Sequence, residues 1–122
     1  MRWLLRAVVT LHLVDVFAQP VLAGRFMSGD YDMLAAHRIN ATSVAAVGFA
    51  QLLVALLVWR PGRGPGWPAL VSLGLSLAEP LQIYLGFHRV IGVHVPLAVV
   101  IVATSAVLAV QVWRPAFVEV ST

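Results

Sequence analysis

The chain has no cysteine, and only 11% of its 122 residues are charged, against roughly 25% in an ordinary soluble domain. Without cysteine there is no disulfide, no iron–sulfur cluster and no thiolate ligand, so a bound metal has only histidine, carboxylate or methionine to hold it. The sparse charge also excludes a nucleic-acid surface. Eight basic residues stand against five acidic ones, a net +3, and nearly all lie at the ends of apolar runs rather than in a patch. A phosphate-binding loop is missing, as are a Ser-His-Asp set in one aqueous cleft and a pair of carboxylates at matched depth. Hydrolytic and transferase chemistry therefore find no foothold, and the chain does not read as an enzyme beyond a role in electron transfer.

Apolar sequence is what the chain has in abundance: 61% of residues are hydrophobic and the mean hydropathy is +0.92. Four runs, at about 3 to 23, 35 to 59, 67 to 87 and 92 to 113, each come close to the ~20 residues that cross a bilayer core. They predict an all-α membrane protein, a four-transmembrane-helix bundle in one domain over residues 1–122, with the lipid bilayer as its surroundings. The first run keeps His12 and Asp15 inside it and lacks a clear small-residue cleavage site, so it reads as a helix of the mature fold rather than a signal peptide. Arg2, Arg6, Arg60, Arg63 and Arg114 share one side; Arg25, Arg38 and Arg89 lie on the other with Asp30 and Asp32. The positive-inside rule then predicts that both termini are cytoplasmic; the expected location is a bacterial inner membrane. Trp3, Trp59, Trp67 and Trp113 all mark the cytoplasmic ends, where indoles sit among headgroups.

The four runs form two copies. Ala18-Gln19-Pro20, His37-Arg38 and Val58-Trp59-Arg60-Pro61 recur in order as Ala78-Glu79-Pro80, His88-Arg89 and Val112-Trp113-Arg114-Pro115. A duplicated helical hairpin brings equivalent residues face to face across a pseudo-twofold axis. Pro20 and Pro80 fall in the outward thirds of the first and third helices, where they free backbone carbonyls and bend the outer ends apart. As written, the repeat matches Gln19 to Glu79 and His37 to His88, yet depth favours a different histidine. Counting from the tryptophan anchors at ~1.5 Å per residue, His37 lies about 33 Å above Trp59 and His94 about 28 Å above Trp113, within one helical turn of equal height. His94 also precedes Pro96, which suits a first helical turn, whereas His88 falls in the loop as an interfacial side chain. His94 is thus the expected partner of His37, with His88 as the alternative.

Ionisable groups within spanning helices are costly and usually face the bundle interior or a water-filled cavity. His12, Asp15 and Gln19 share one face of the first helix, and Ser72, Ser76, Glu79 and Gln82 share one face of the third. Both stripes are expected to point inward. On the second helix His37 shares a face with Asn40, Val44, Gly48 and Gln51, and on the fourth His94 lies above Ala98, Ile101, Ser105 and Leu108. Gly48 and Ser105 each sit about three turns below a histidine, leaving gaps that suit either tight helix packing or the edge of a porphyrin. His12 is deep, with no second histidine at its level. It is expected to hydrogen-bond Asp15 or a neighbouring helix, steadying the bundle or relaying protons.

The segment Ala35-Ala36-His37-Arg38-Ile39, followed two helices later by Val93-His94 and an apolar run, resembles one four-helix half of the haem A synthase family. The resemblance covers roughly residues 30 to 113, including the Gln/Glu-rich third helix. It implies that His37 and His94 are axial haem ligands. The family's glutamate three residues before its His-Arg pair is Leu34 here, and its outer-loop cysteines are missing, which separates this chain from haem oxidation. The chain is also similar to small four-helix bacterial membrane proteins that carry a Gln-x-x-x-Ala-Gly stretch, Gln19 to Gly24 here.

Three readings follow. In the first, the protein binds haem b in the manner of a cytochrome b, with His37 and His94 on the iron and Arg38, Arg25 or Arg89 beside a propionate. Ligation by two histidines leaves no open position and implies electron transfer, to a quinone or a redox protein, or service as a haem-bearing subunit. In the second, it is a non-catalytic accessory or structural subunit of a larger membrane complex, without cofactor. In the third, His12, Asp15 and Glu79 serve a small transporter or proton channel, which four short helices would form only as a homo-oligomer.

Overall fold

A helix that is apolar on every side has no polar face to give to water and belongs in a bilayer. The computed structural model describes residues 1–115 and Phe117, and four such helices account for nearly all of them: α1 (Arg2–Met27), α2 (Met33–Trp59), α3 (Trp67–Phe87) and α4 (Ile91–Trp113). All four are long and apolar enough to cross a membrane, and no strand occurs among the described residues. The chain is therefore an all-α membrane protein. The expected boundaries agree within a few residues, the largest difference being one more turn at the end of α1. Because α4 begins three residues before His94, Pro96 falls in the second helical turn and inside the helix, not in the first turn where its missing N–H would cost nothing.

Short loops force an up-down-up-down order. Each helix packs on its neighbours in sequence, and α4 closes the ring against α1. Two diagonals result, α1 facing α3 and α2 facing α4. Large side chains such as Leu11, Phe17, Leu53, Leu73, Val99 and Val107 lie on the outside, because lipid tails are as apolar as leucine and nothing drives these residues inward. The interior combines buried aliphatic side chains such as Leu5, Leu75, Ile101 and Leu108 with a few polar groups, His12, Gln51, Ser72, Glu79 and Ser105.

The two ends of the bundle are fastened by different chemistry. At the tryptophan end Arg6 is only 9% exposed, and its guanidinium carbon stands 5.0 Å from the ring centres of both Trp3 and Trp113. Its Nε donates to the Val112 carbonyl at 3.1 Å, while the Trp113 indole donates to Thr10 Oγ1 at 3.0 Å. A guanidinium is weakly hydrated and always charged, so two ring faces and a carbonyl suit it where water is scarce. The α1–α4 seam, which no loop bridges, is closed here.

At the histidine end α1 and α3 stop in the same way. Asp30 N–H reaches Arg25 O at 3.1 Å and Gly29 N–H reaches Phe26 O at 3.1 Å; in the second copy Val90 N–H reaches Leu85 O at 3.0 Å and Arg89 N–H reaches Gly86 O at 3.2 Å. These are paired Schellman closures, each needing one left-handed residue. Gly29 supplies it at φ 103° and Arg89 at φ 57°. An arginine there clashes with its own Cβ where glycine does not. Arg89→Gly is therefore expected to raise the unfolding free energy by about 1 kcal/mol and Gly29→Ala to lower it by a similar amount. Titration of the reconstituted protein with denaturing detergent measures both, and equal stability of Arg89→Gly and the native chain would contradict the assignment.

Candidate functional site

His37 and His94 each enter one turn after their helix begins and meet across the α2–α4 diagonal. The ring centres are 6.4 Å apart with the planes at 65°, and both residues are partly buried. Each is held by a glutamine of the preceding helix through two reciprocal bonds. Gln19 Nε2 donates to the His37 carbonyl at 3.1 Å, and His37 Nδ1 donates to the Gln19 carbonyl at 3.1 Å. In the second copy Gln82 Nε2 donates to the His94 carbonyl at 2.8 Å, and His94 Nδ1 donates to the Gln82 carbonyl at 3.0 Å. A carbonyl oxygen can only accept, so both Nδ1 atoms carry hydrogen and both neutral rings keep the lone pair on Nε2. Gly86, one turn beyond Gln82, makes room for the second ring, since a Cβ there would come within 3.0 Å of His94 Cε1.

A second polar level lies about 16 Å deeper, the eleven residues from His37 to Gly48 at ~1.5 Å each. Here the α1–α3 diagonal is spanned by His12 Nε2 and Glu79 Oε1, 2.8 Å apart and almost fully buried. His12 Nδ1 donates to Gln51 Oε1 at 3.1 Å, and Gln51 Nε2 donates to Ser72 Oγ at 3.0 Å. The sequence Glu79, His12, Gln51, Ser72 thus crosses three helices. Either proton position between His12 and Glu79, acid with imidazole or carboxylate with imidazolium, leaves the pair without net charge, the form that a low-dielectric interior tolerates. Gly48 is glycine because the Glu79 carboxylate occupies the place of its side chain: a Cβ there would overlap Glu79 Oε2. Ser76 Oγ donates to the Gly48 carbonyl at 3.3 Å on the same side.

Compared with known proteins, the chain matches no family model, no curated protein and no solved structure. The functional reading therefore rests on these residues.

The other candidate residues divide between the two levels and the surface. His88 is exposed, stacked on Tyr84 with ring centres 4.0 Å apart, its Nδ1 donating to the Tyr84 carbonyl at 2.9 Å. Arg38 lays its guanidinium 5.3 Å from the Phe87 ring centre, Arg89 occupies the exposed turn, and Arg25 is taken up by Asp30 at 2.5 Å. Ser105 is buried on α4 with its Oγ unpartnered. The expected gap beside Gly48 is not open, because Glu79 fills it. Asp15 also departs from its expected inward place: its Oδ2 accepts from Ser43 at 2.7 Å on the flank between α1 and α2, and its carbonyl accepts from Asn40 at 2.9 Å. Three residues rotate a helix by about 300°, so Asp15 sits some 60° off the His12 line. His12 accordingly bonds Gln51 and Glu79 rather than Asp15.

Among the described residues, no group of three or more histidine or acidic side chains gathers as a metal site. Sequence reasoning passed over Gln51 as a hydrogen-bond centre and matched Gln19 to Glu79, whereas the structure makes Gln82 the counterpart of Gln19. One signal was present: Gln19 and Gln82 each stand four residues before a small residue, Ala23 and Gly86. Gln51→Leu strips both His12 Nδ1–H and Ser72 Oγ of a buried partner, and is expected to cost about 2 to 3 kcal/mol of stability. Detergent unfolding of the variant against the native chain checks it, and a loss below about 0.5 kcal/mol would count against a fully formed network.

Proposed function

We propose that this protein is a membrane-embedded b-type haem protein that transfers electrons, with His37 and His94 as the two axial ligands. The observation that carries the reading is the pair of identically clamped rings at the histidine end. Two metal–imidazole bonds of about 2.0 Å, with about 1.1 Å from each nitrogen to its ring centre, require ring centres roughly 6.2 Å apart, and these stand at 6.4 Å. Metal-bound histidines donate their other N–H to a carbonyl or carboxylate, which fixes the tautomer and the ring; His37 and His94 both do so through Gln19 and Gln82. Two facing imidazoles, each with Nδ1 engaged by a carbonyl, are the kind of donor set such a group takes.

When bound, a haem with two imidazole ligands supplies one-electron transfer and no open position for oxygen. The chain's own residues then divide the work. Gln19 and Gln82 hold the two rings at fixed height and orientation, so the residues that would hold the group would not have to reorient as it took up or gave up an electron. Arg38, free of any acidic partner among the described residues, and Arg89 in the exposed turn bring positive charge to the end where propionates would reach the surface. Gly48 and Ser105 mark the floor of the site, with the Glu79 carboxylate packed against Gly48. The resemblance to one half of the haem A synthase family supports the same two ligands, and the missing cysteines and the Leu34 position favour electron transfer over oxidation of the haem. On this reading the partner is a quinone or a redox protein, and the tryptophan end, richer in arginine, faces the cytoplasm of a bacterial cell.

A second reading, an accessory module without cofactor, is favoured by one observation: the Glu79–His12–Gln51–Ser72 array ties three helices together and needs no ligand to do so. An absorption spectrum separates the two. Protein purified from haem-replete cells, or reconstituted with haem b, is expected to show a reduced-minus-oxidised Soret and α-band difference. His37→Ala and His94→Ala should each lower the bound haem at least tenfold, and His88→Ala should leave it unchanged. A reconstituted preparation that stays colourless would leave the accessory reading standing.

A further inference from the structure

We infer that Glu79 and His12 form a proton-exchange site, supplied by internal water from the histidine end of the bundle and closed towards the tryptophan end. The inference does not depend on haem. It starts from buried atoms that lack a partner. Glu79 Oε2, Ser105 Oγ and Gln82 Oε1 are buried and make no hydrogen bond to another described residue. Each such atom costs about 1 to 3 kcal/mol if left dry, and buried polar groups in proteins are met by ordered water where the protein does not meet them.

The placement of these three atoms gives the water a direction. Ser105 lies eleven residues below His94, as Gly48 lies eleven below His37, and the two rings face each other, so Ser105 and Gly48 share a depth. Glu79 packs on Gly48 and therefore lies at that level too. Gln82 stands one turn further out on the same face of α3 and leads to the partly buried histidines. The unpartnered oxygens thus begin at the level of Glu79, with Ser105 beside it in depth, and continue outward through Gln82 to the histidine end. In the other direction Gln51 and Ser72 end the polar array, and Leu5, Val9, Val58, Ala69, Leu108 and Val112, each at most 3% exposed, close the bundle with apolar side chains. On the histidine side of Glu79 the polar oxygens are unpartnered, whereas on the other side Gln51 and Ser72 are bonded to each other and Arg6 is taken up by a carbonyl and two indoles.

The chemistry is a proton shared by two groups. Gln51 Oε1 accepts from His12 Nδ1, which keeps that hydrogen in place, so the exchangeable position is between His12 Nε2 and Glu79 Oε1. A proton passes from the carboxylic acid to Nε2 or back with no change in net charge. Exchange with the medium delivers one proton from water to Glu79 Oε2 as another leaves. His12 is the one titratable group that faces Glu79; α2 presents Gly48 and Gln51 at this level, and α4 presents Ser105. Asp15 is turned away to Ser43.

The test is nitrogen-15 magnetic resonance of the full chain in lipid bilayers, with the His12 ring assigned by substituting the other three histidines singly. On transfer to D₂O the His12 Nε2 proton is expected to exchange within minutes, and in Ser105→Val, which puts two methyl groups where the hydroxyl stood and dries the stretch, at least tenfold more slowly. A His12 proton that persists for many hours in the native chain would make the pair a dry structural link and overturn the inference; so would an exchange rate in Ser105→Val equal to the native one. Should Ser105→Val fail to fold, magnetisation transfer from water to the His12 ring in the native chain decides the matter: transfer as fast as to His37 and His94 supports the wet stretch, and none refutes it.

Discussion

Inside a bilayer nothing outside the protein can hydrogen-bond a polar group, so each one must find its partner within the bundle. The contact between His12 and Glu79 is where this constraint bears hardest. Helices α1 and α3 face each other across a diagonal without packing together, and these two side chains span the gap. Much else follows from the pair. Gly48 must lack a side chain so that the carboxylate has room, and Gln51 must present its carbonyl oxygen to His12 and its amide to Ser72. A lone buried carboxylate here would cost several kcal/mol, whereas a pair that is neutral in either proton position avoids most of that desolvation.

The histidine level solves the same problem differently. Each Gln–His clamp uses one side-chain donor and one ring donor, and both acceptors are main-chain carbonyls, so no side-chain oxygen has to be built into the site. The result is two rings with the same tautomer, fixed by atoms that cannot themselves titrate. The deeper level relies on side chains alone and can therefore hold its proton in more than one place. One level is made rigid by the backbone; the other is made adaptable by a carboxyl and an imidazole.

The sequence carried the architecture well because boundaries in membrane helices are written in residues that water selects. Tryptophans and arginines at the ends placed all four helices to within a few residues, and the rise per residue set His94, rather than His88, level with His37. The local bonding was harder to see. The duplicated proline drew Glu79 into register with Gln19, yet the His94 clamp uses Gln82, one turn further along, since the second copy has a shorter link between its glutamine and its histidine. Asp15 looked inward by spacing, but a rotation of some 60° and a serine on α2 carry it to the flank. Such choices depend on which neighbour a side chain meets, and periodicity along one helix says nothing of that. Arg6 is the same kind of case: an arginine at a helix end reads as a topology signal, and only the approach of Trp113 from the far end of the chain makes it a buried joint.

That joint has a topological consequence. Three seams of the helix ring are crossed by loops, at 28–32, 60–66 and 88–90, while the fourth, between α1 and α4, is held at the tryptophan end by Arg6, Trp3, Trp113 and Thr10. The first turn of α1 and the last of α4 therefore lie side by side, and the ring is closed in everything but covalent bonds. The order in which the chain visits its helices is thus separable from the contacts they make: a rearranged chain that linked the last turn of α4 to the first turn of α1 and opened the loop at 60–66 would run through the same four helices in the same cyclic order and keep both diagonals.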